Sequence, residues 1–105
     1  MIRIGKKIRD LRETNNLLLR ELADILKIDL ALLSKIERGE RTATRKQIIL
    51  LASYFNIDQN EFLSQWLGEK IAYEIKDEDV ASEALKVAEQ EIKYYNKSGK
   101  ELKYV

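Results

Sequence analysis

Apolar residues recur at three- and four-residue intervals along almost the whole chain, the period of a helix face and not the alternation of a strand. Ile4, Ile8 and Leu11 mark a first helix from about Ile2 to Glu13, closed by the polar run Thr14-Asn15-Asn16. Leu22, Ala23 and Leu26 mark a second helix, Ile28 falls in a tight turn after it, and Leu33 and Ile36 mark a third. Asp29 is placed to accept from the free amide groups at the start of that third helix, and Gly39 stands where a helix stops in a left-handed residue. Thr44-Arg45-Lys46-Gln47 has the form of a capping box and opens a fourth helix with Ile48, Leu51, Ala52 and Phe55 along one face. Asp58-Gln59-Asn60-Glu61 repeats that logic before a fifth, in which Phe62, Leu63, Trp66, Leu67 and Ile71 are apolar. Asp77 is read as the cap of a sixth helix, where Ala81, Ala84, Leu85, Ala88, Ile92 and Tyr95 recur up to Asn96-Lys97-Ser98-Gly99.

This pattern predicts an all-α chain with three parts. Residues 1–67 form one compact domain, 68–98 a C-terminal helical extension, and 99–105 a frayed tail. With 105 residues, 45% of them hydrophobic and 35% charged, the chain has enough apolar surface for one modest core and is too apolar to stay disordered. No apolar run approaches the roughly 18 to 20 residues that span a bilayer, and Met1-Ile2-Arg3-Ile4-Gly5-Lys6 has no apolar leader segment, so a cytoplasmic protein with no membrane partner is expected.

The chain contains neither cysteine nor histidine. That removes disulfides, thiolate and imidazole metal ligands, and the usual acid/base group near neutral pH. The one dense carboxylate run, Asp77-Glu78-Asp79, lies where a helix start attracts acids in any case. No enzyme, no metal and no cofactor is expected.

The formal charge of +1 hides an asymmetry. Residues 1–46 hold 12 Lys/Arg against 7 Asp/Glu, or +5, whereas residues 47–105 hold 7 against 11, or −4. A basic N-terminal half suits a polyanionic partner, since neutralising phosphates and releasing their counterions supplies most of the sequence-independent affinity for nucleic acid.

Leu22-Ala23, the run Leu33-Ser34-Lys35-Ile36-Glu37-Arg38-Gly39, and Leu51-Ala52 together resemble the Xre/Cro helix-turn-helix family, the lambda-repressor-like fold, over Ile4 to Asp58. The resemblance implies a five-helix domain whose third helix enters the major groove of double-stranded DNA, here followed by an additional C-terminal helix. By position it puts Leu30, Ala31, Ser34 and Lys35 against base edges. Lys35 can donate to guanine, Ser34 to several bases, and Leu30 and Ala31 can touch thymine methyl groups. Arg20, Arg38, Arg41, Thr42, Arg45 and Lys46 fall along the phosphate backbone. Glu37 is expected to pair with Arg12 and hold the third helix against the first. The fifth helix completes such a domain, with Trp66 either closing the core or standing at a subunit contact; the sixth is surplus to it, and its stripe of Leu85, Ala88, Ile92 and Tyr95 suits a homodimer contact, with folding back on its own chain as the other option.

Two departures from the family pattern matter. Leu18 and Leu19 stand where members carry polar groups at the start of the second helix, and Lys27 stands where a left-handed glycine is usual. The resemblance therefore implies a sequence-specific transcriptional regulator, a homodimer on an inverted repeat, in a format similar to restriction-modification controller proteins, phage repressors and antitoxins. A second reading stays open, in which Leu18, Leu19 and Leu30 form an apolar patch for a protein partner.

Overall fold

Six helices, and among the described residues no strand, make up the computed structural model, which describes residues 2–99. They are α1 (Ile4–Thr14), α2 (Leu19–Leu26), α3 (Leu30–Glu37), α4 (Arg45–Tyr54), α5 (Gln59–Ile75) and α6 (Ala81–Ser98). The chain divides after Ile71, inside α5, into two compact units. The architecture is all-α, as the spacing predicts.

The core of the first unit is built from the predicted stripes. Ile8, Leu22, Leu33, Ile48, Leu51 and Phe62 are its largest fully buried side chains. Helices as short as α2 and α3, eight residues each, are not stable by themselves, so this shared burial holds them. Trp66 closes the core from α5: it is 5% exposed and its indole Nε1 donates to the Ala43 carbonyl at 2.7 Å. Of the two roles open to it, core closure or subunit contact, Trp66 takes the first.

Each of α1 to α4 stops in the same way. Asn16, Lys27, Gly39 and Asn56 all adopt positive φ, and the amide of the following residue reaches back five positions, Leu17 to Arg12, Ile28 to Ala23, Glu40 to Lys35 and Ile57 to Ala52. This satisfies carbonyls that the helix end would leave bare. Leu17, Ile28 and Ile57 then pack against the core, so a local stop also fixes the entry of the next segment. Lys27, at φ 58° and ψ 44°, carries a Cβ in a conformation that costs an L-residue on the order of 1–2 kcal/mol.

Several expected starts are altered. The first helix begins at Ile4 and not Ile2, and its first amide donates to Glu69 Oε2 at 2.7 Å, so an α5 side chain acts as its cap. Asp29 precedes α3 without a side-chain cap bond; its carbonyl accepts from Leu33 while its carboxylate stays exposed. Thr44 and Gln47 form the full reciprocal box, whereas Asp58 only accepts from the Glu61 amide. Asp77 does not cap α6. Residues 77–80 turn once more, with Glu78 N–H on Ile75 O and Ala81 N–H on Glu78 O, so α6 begins after Val80. Leu67 and Ile71, which the spacing groups with Phe62, Leu63 and Trp66, are exposed. Gly99 ends α6 in a left-handed residue, and the rest of the expected tail lies outside the described residues.

Gly5 marks a close approach of α1 to the end of α3. A Cβ there would overlap the Ile36 carbonyl oxygen and lie 2.9 Å from that of Glu37. Gly5→Ala forces α1 and α3 apart; the expected loss is about 2 kcal/mol, the usual scale of overpacking a tight core, read from urea unfolding. An unchanged midpoint would show that the two helices separate freely.

Candidate nucleic-acid interface

The burial pattern of α3 decides which side of it is available. Leu33, Ile36 and Glu37 turn inward and are buried. Leu30, Ala31 and Lys35 are exposed and Ser34 is half-buried, so the four residues expected at base edges share one outward face. Leu30 is 49% exposed, a large apolar side chain at the first position of the helix.

The residues expected along a phosphate backbone are also in the open. Arg20 lies in the first turn of α2, Arg41 and Thr42 in the loop after α3, and Arg45 and Lys46 in the first turn of α4, all exposed. Among the described residues, Arg20, Lys35, Arg41, Arg45 and Lys46 make no ion pair. Arg38 differs, since its Nε donates to Glu40 Oε2 at 2.6 Å, which offsets part of its charge. Four unpaired cations on one stretch from Lys35 to Lys46 make that stretch positively charged.

Behind the face, Arg12 and Glu37 meet in a two-pronged pair. Arg12 Nε donates to Glu37 Oε2 at 2.8 Å and Nη2 to Oε1 at 3.0 Å, while Nη1 donates to the Leu17 carbonyl at 3.0 Å. Both side chains are largely covered. Glu37 sits at the negative end of α3, where a carboxylate is unwelcome, and the guanidinium offsets both charges. The hydrogen bond to Glu37, opposed by burial and aided by the Coulomb attraction, raises the Arg12 pKa above its already high ordinary value. A raised folded pKa stabilises the fold below the unfolded value and is lost only as pH climbs through the still higher folded one, so on the arginine side the pair is insensitive to pH until strongly alkaline conditions.

The leucines that depart from the family pattern separate. Leu18 is 53% exposed before α2, but Leu19 is half-buried against the core, so the expected three-leucine patch loses one member. Glu21 Oε1 accepts from the Leu18 amide at 2.7 Å, one half of a capping box; the other half, which a leucine side chain cannot supply, falls to the Leu18 carbonyl, which accepts from the Glu21 amide at 3.0 Å. In the second unit no residue of α6 is buried; Leu85 is 46% and Ile92 52% exposed, Ala88 is exposed, and Tyr95 is half-buried with its ring edge-on to Tyr94. Sequence reasoning missed Gly5, Gln65 and Glu69. Gly5 carries a faint signal, a glycine amid an apolar helix pattern, but Gln65 and Glu69 read as ordinary polar positions of α5.

A left-handed corner joining two short helices, the second with an open face flanked by cations, defines a helix-turn-helix protein. The chain belongs to the helix-turn-helix domain family, whose pattern matches residues 5–66, in agreement with the resemblance carried by Leu22-Ala23 and by Leu33 to Gly39. Solved structures similar to it include an HTH_3 family transcriptional regulator from Vibrio cholerae, 28% identical over 58% of this chain and 34% of that one, with a TM-score of 0.48. This chain thus spans about a third of the length of that regulator. The clp gene regulator ClgR from Corynebacterium glutamicum is 21% identical over 90% of this chain and 88% of its own, with a TM-score of 0.52. The SinR protein in its complex with SinI protein is 20% identical over 90% and 98%, with a TM-score of 0.50. The last two share the fold. No match is found among curated proteins.

The Arg12–Glu37 pair yields a test. Arg12→Ala and Glu37→Ala should each cost about 3 kcal/mol, because each leaves a covered charge without its partner. The double variant should lose clearly less than the sum of the two. Strict additivity in urea unfolding would mean that the pair contributes no coupling.

Proposed function

We propose that this chain is a cytoplasmic, sequence-specific DNA-binding transcriptional regulator that places α3 in the major groove. The observation that carries this reading is the outward α3 face of Leu30, Ala31, Ser34 and Lys35 flanked by the unpaired cations Arg41, Arg45 and Lys46. Lys35 is suited to donate to guanine, and Arg20, Arg38, Arg41, Thr42, Arg45 and Lys46 to hold phosphates and set the register.

The regulator works as a homodimer on inverted half-sites about one helical turn apart, as the symmetry of such operators requires. The uncovered stripe of Leu85, Ala88, Ile92 and Tyr95 on α6 supports that pairing. One compact domain with one added helix is also the format of a restriction-modification controller. A protein partner at the DNA-facing side is the second reading, favoured by the exposure of Leu18 and Leu30.

Selection of bound fragments from a random DNA pool, at near-physiological salt with competitor, should return an inverted repeat; a folded chain that enriches nothing would sink the proposal. On the recovered site, Lys35→Ala should cost about 1–3 kcal/mol and relax preference at one base position, whereas Arg41→Ala should weaken binding to all sequences and reduce the salt slope by about 1. If both variants bind like the parent chain, α3 is not the reading helix. Leu85→Asp combined with Ile92→Asp should give a monomer in sedimentation with its helical circular dichroism intact. A dimer that survives the double substitution would place the self-contact elsewhere.

A further inference from the structure

The first turn of α3 offers DNA no donor and no acceptor from its outward side chains. Leu30 is 49% exposed and Ala31 is exposed, and the polar members of the same face, Ser34 and Lys35, come a turn later. In the major groove the one apolar feature of a base-pair edge is the C5-methyl group of thymine. Methylation of cytosine at C5 puts the same group at the same place on a G·C pair. A leucine side chain is indifferent to whether the neighbouring edge atom is the O4 acceptor of thymine or the N4 donor of cytosine. Its preference follows the methyl group alone.

We propose that Leu30, supported by Ala31, makes this chain a reader of the pyrimidine C5-methyl group, accepting thymine and 5-methylcytosine and disfavouring cytosine at one position of each half-site. The inference rests on the DNA-binding reading above. What selects DNA as the occupant of this apolar spot is charge: Lys35, Arg41, Arg45 and Lys46 are exposed cations without ion pairs among the described residues, the complement of a phosphate backbone. A further consequence is that enzymatic methylation of a cytosine in the operator would strengthen binding instead of blocking it.

The test uses the full chain and the site recovered by selection, with each half-site pyrimidine in turn made thymine, deoxyuridine, 5-methylcytosine or cytosine, its partner base changed to match. At the position facing Leu30, the methylated member of each pair should bind about fourfold more tightly, which is ~0.8 kcal/mol for one buried methyl-sized group at about 1.4 kcal/mol per factor of ten. Leu30→Ala, an exposed position that the fold does not need, should shrink that difference while leaving the salt dependence of binding unchanged. Equal affinity for thymine and deoxyuridine at every half-site position would overturn the proposal, and so would a methyl preference that Leu30→Ala leaves intact; in either case the DNA-binding reading stands. If no sequence is enriched at all, both readings fall and the apolar turn belongs to a protein contact.

Discussion

The pose of α3 depends on how closely α1 can approach its C-terminal end. Gly5 lets the α1 backbone rest against the carbonyls of Ile36 and Glu37, at a separation that no Cβ would permit. One helical side further on, the Arg12 guanidinium takes Glu37 with two donors and the Leu17 carbonyl with a third. The close approach and the ion pair act at the same end of a helix only eight residues long, whose Leu33 and Ile36 are buried. The face of Leu30, Ala31, Ser34 and Lys35 points outward because these contacts fix the rotation of α3 about its own axis.

The start of α1 is fixed just as firmly, but from far along the chain. Glu69 accepts the Ile4 amide, Gln65 Nε2 donates to the Ile2 carbonyl, and Arg3 lies 3.7 Å from Glu69. Helix α5 thus performs for α1 the service that a serine or aspartate before the helix performs elsewhere. Because α1 in turn seats α3, polar groups of α5 contribute to the geometry of the candidate binding face.

What was legible in the sequence is what neighbours dictate. The helices of the first unit follow from three- and four-residue spacing, and the Thr44–Gln47 box and the Gly39 stop are spelled out within a few residues. The α3 face was legible for the same reason: with Leu33 and Ile36 buried, the helical period leaves residues 30, 31, 34 and 35 outside. Asp29 and Asp77 misled because an acid before an apolar run is permitted to cap but not obliged to: the Asp29 carboxylate stays exposed without a cap bond, and an extra turn separates Asp77 from α6. Leu67 and Ile71 misled because periodicity reports an apolar face without reporting where the opposing surface ends. Gly5 and Glu69 were hidden since their partners lie far away in the chain, and Lys27 accepted a left-handed corner that its side chain does not favour.

The four left-handed stops bear on how the molecule reaches this arrangement. Each is complete within six residues of chain, so the reversals at Asn16, Lys27, Gly39 and Asn56 can form before any distant segment arrives. A chain whose corners are made locally closes short loops first, and short loops close quickly. The contacts that orient the outward face, Gly5 on Ile36 and Arg12 on Glu37, join segments some 25 to 31 positions apart and have to wait for those corners. The turns can therefore be in place first, and the clamp between the first and third helices, which needs them, is the later and slower contact to close.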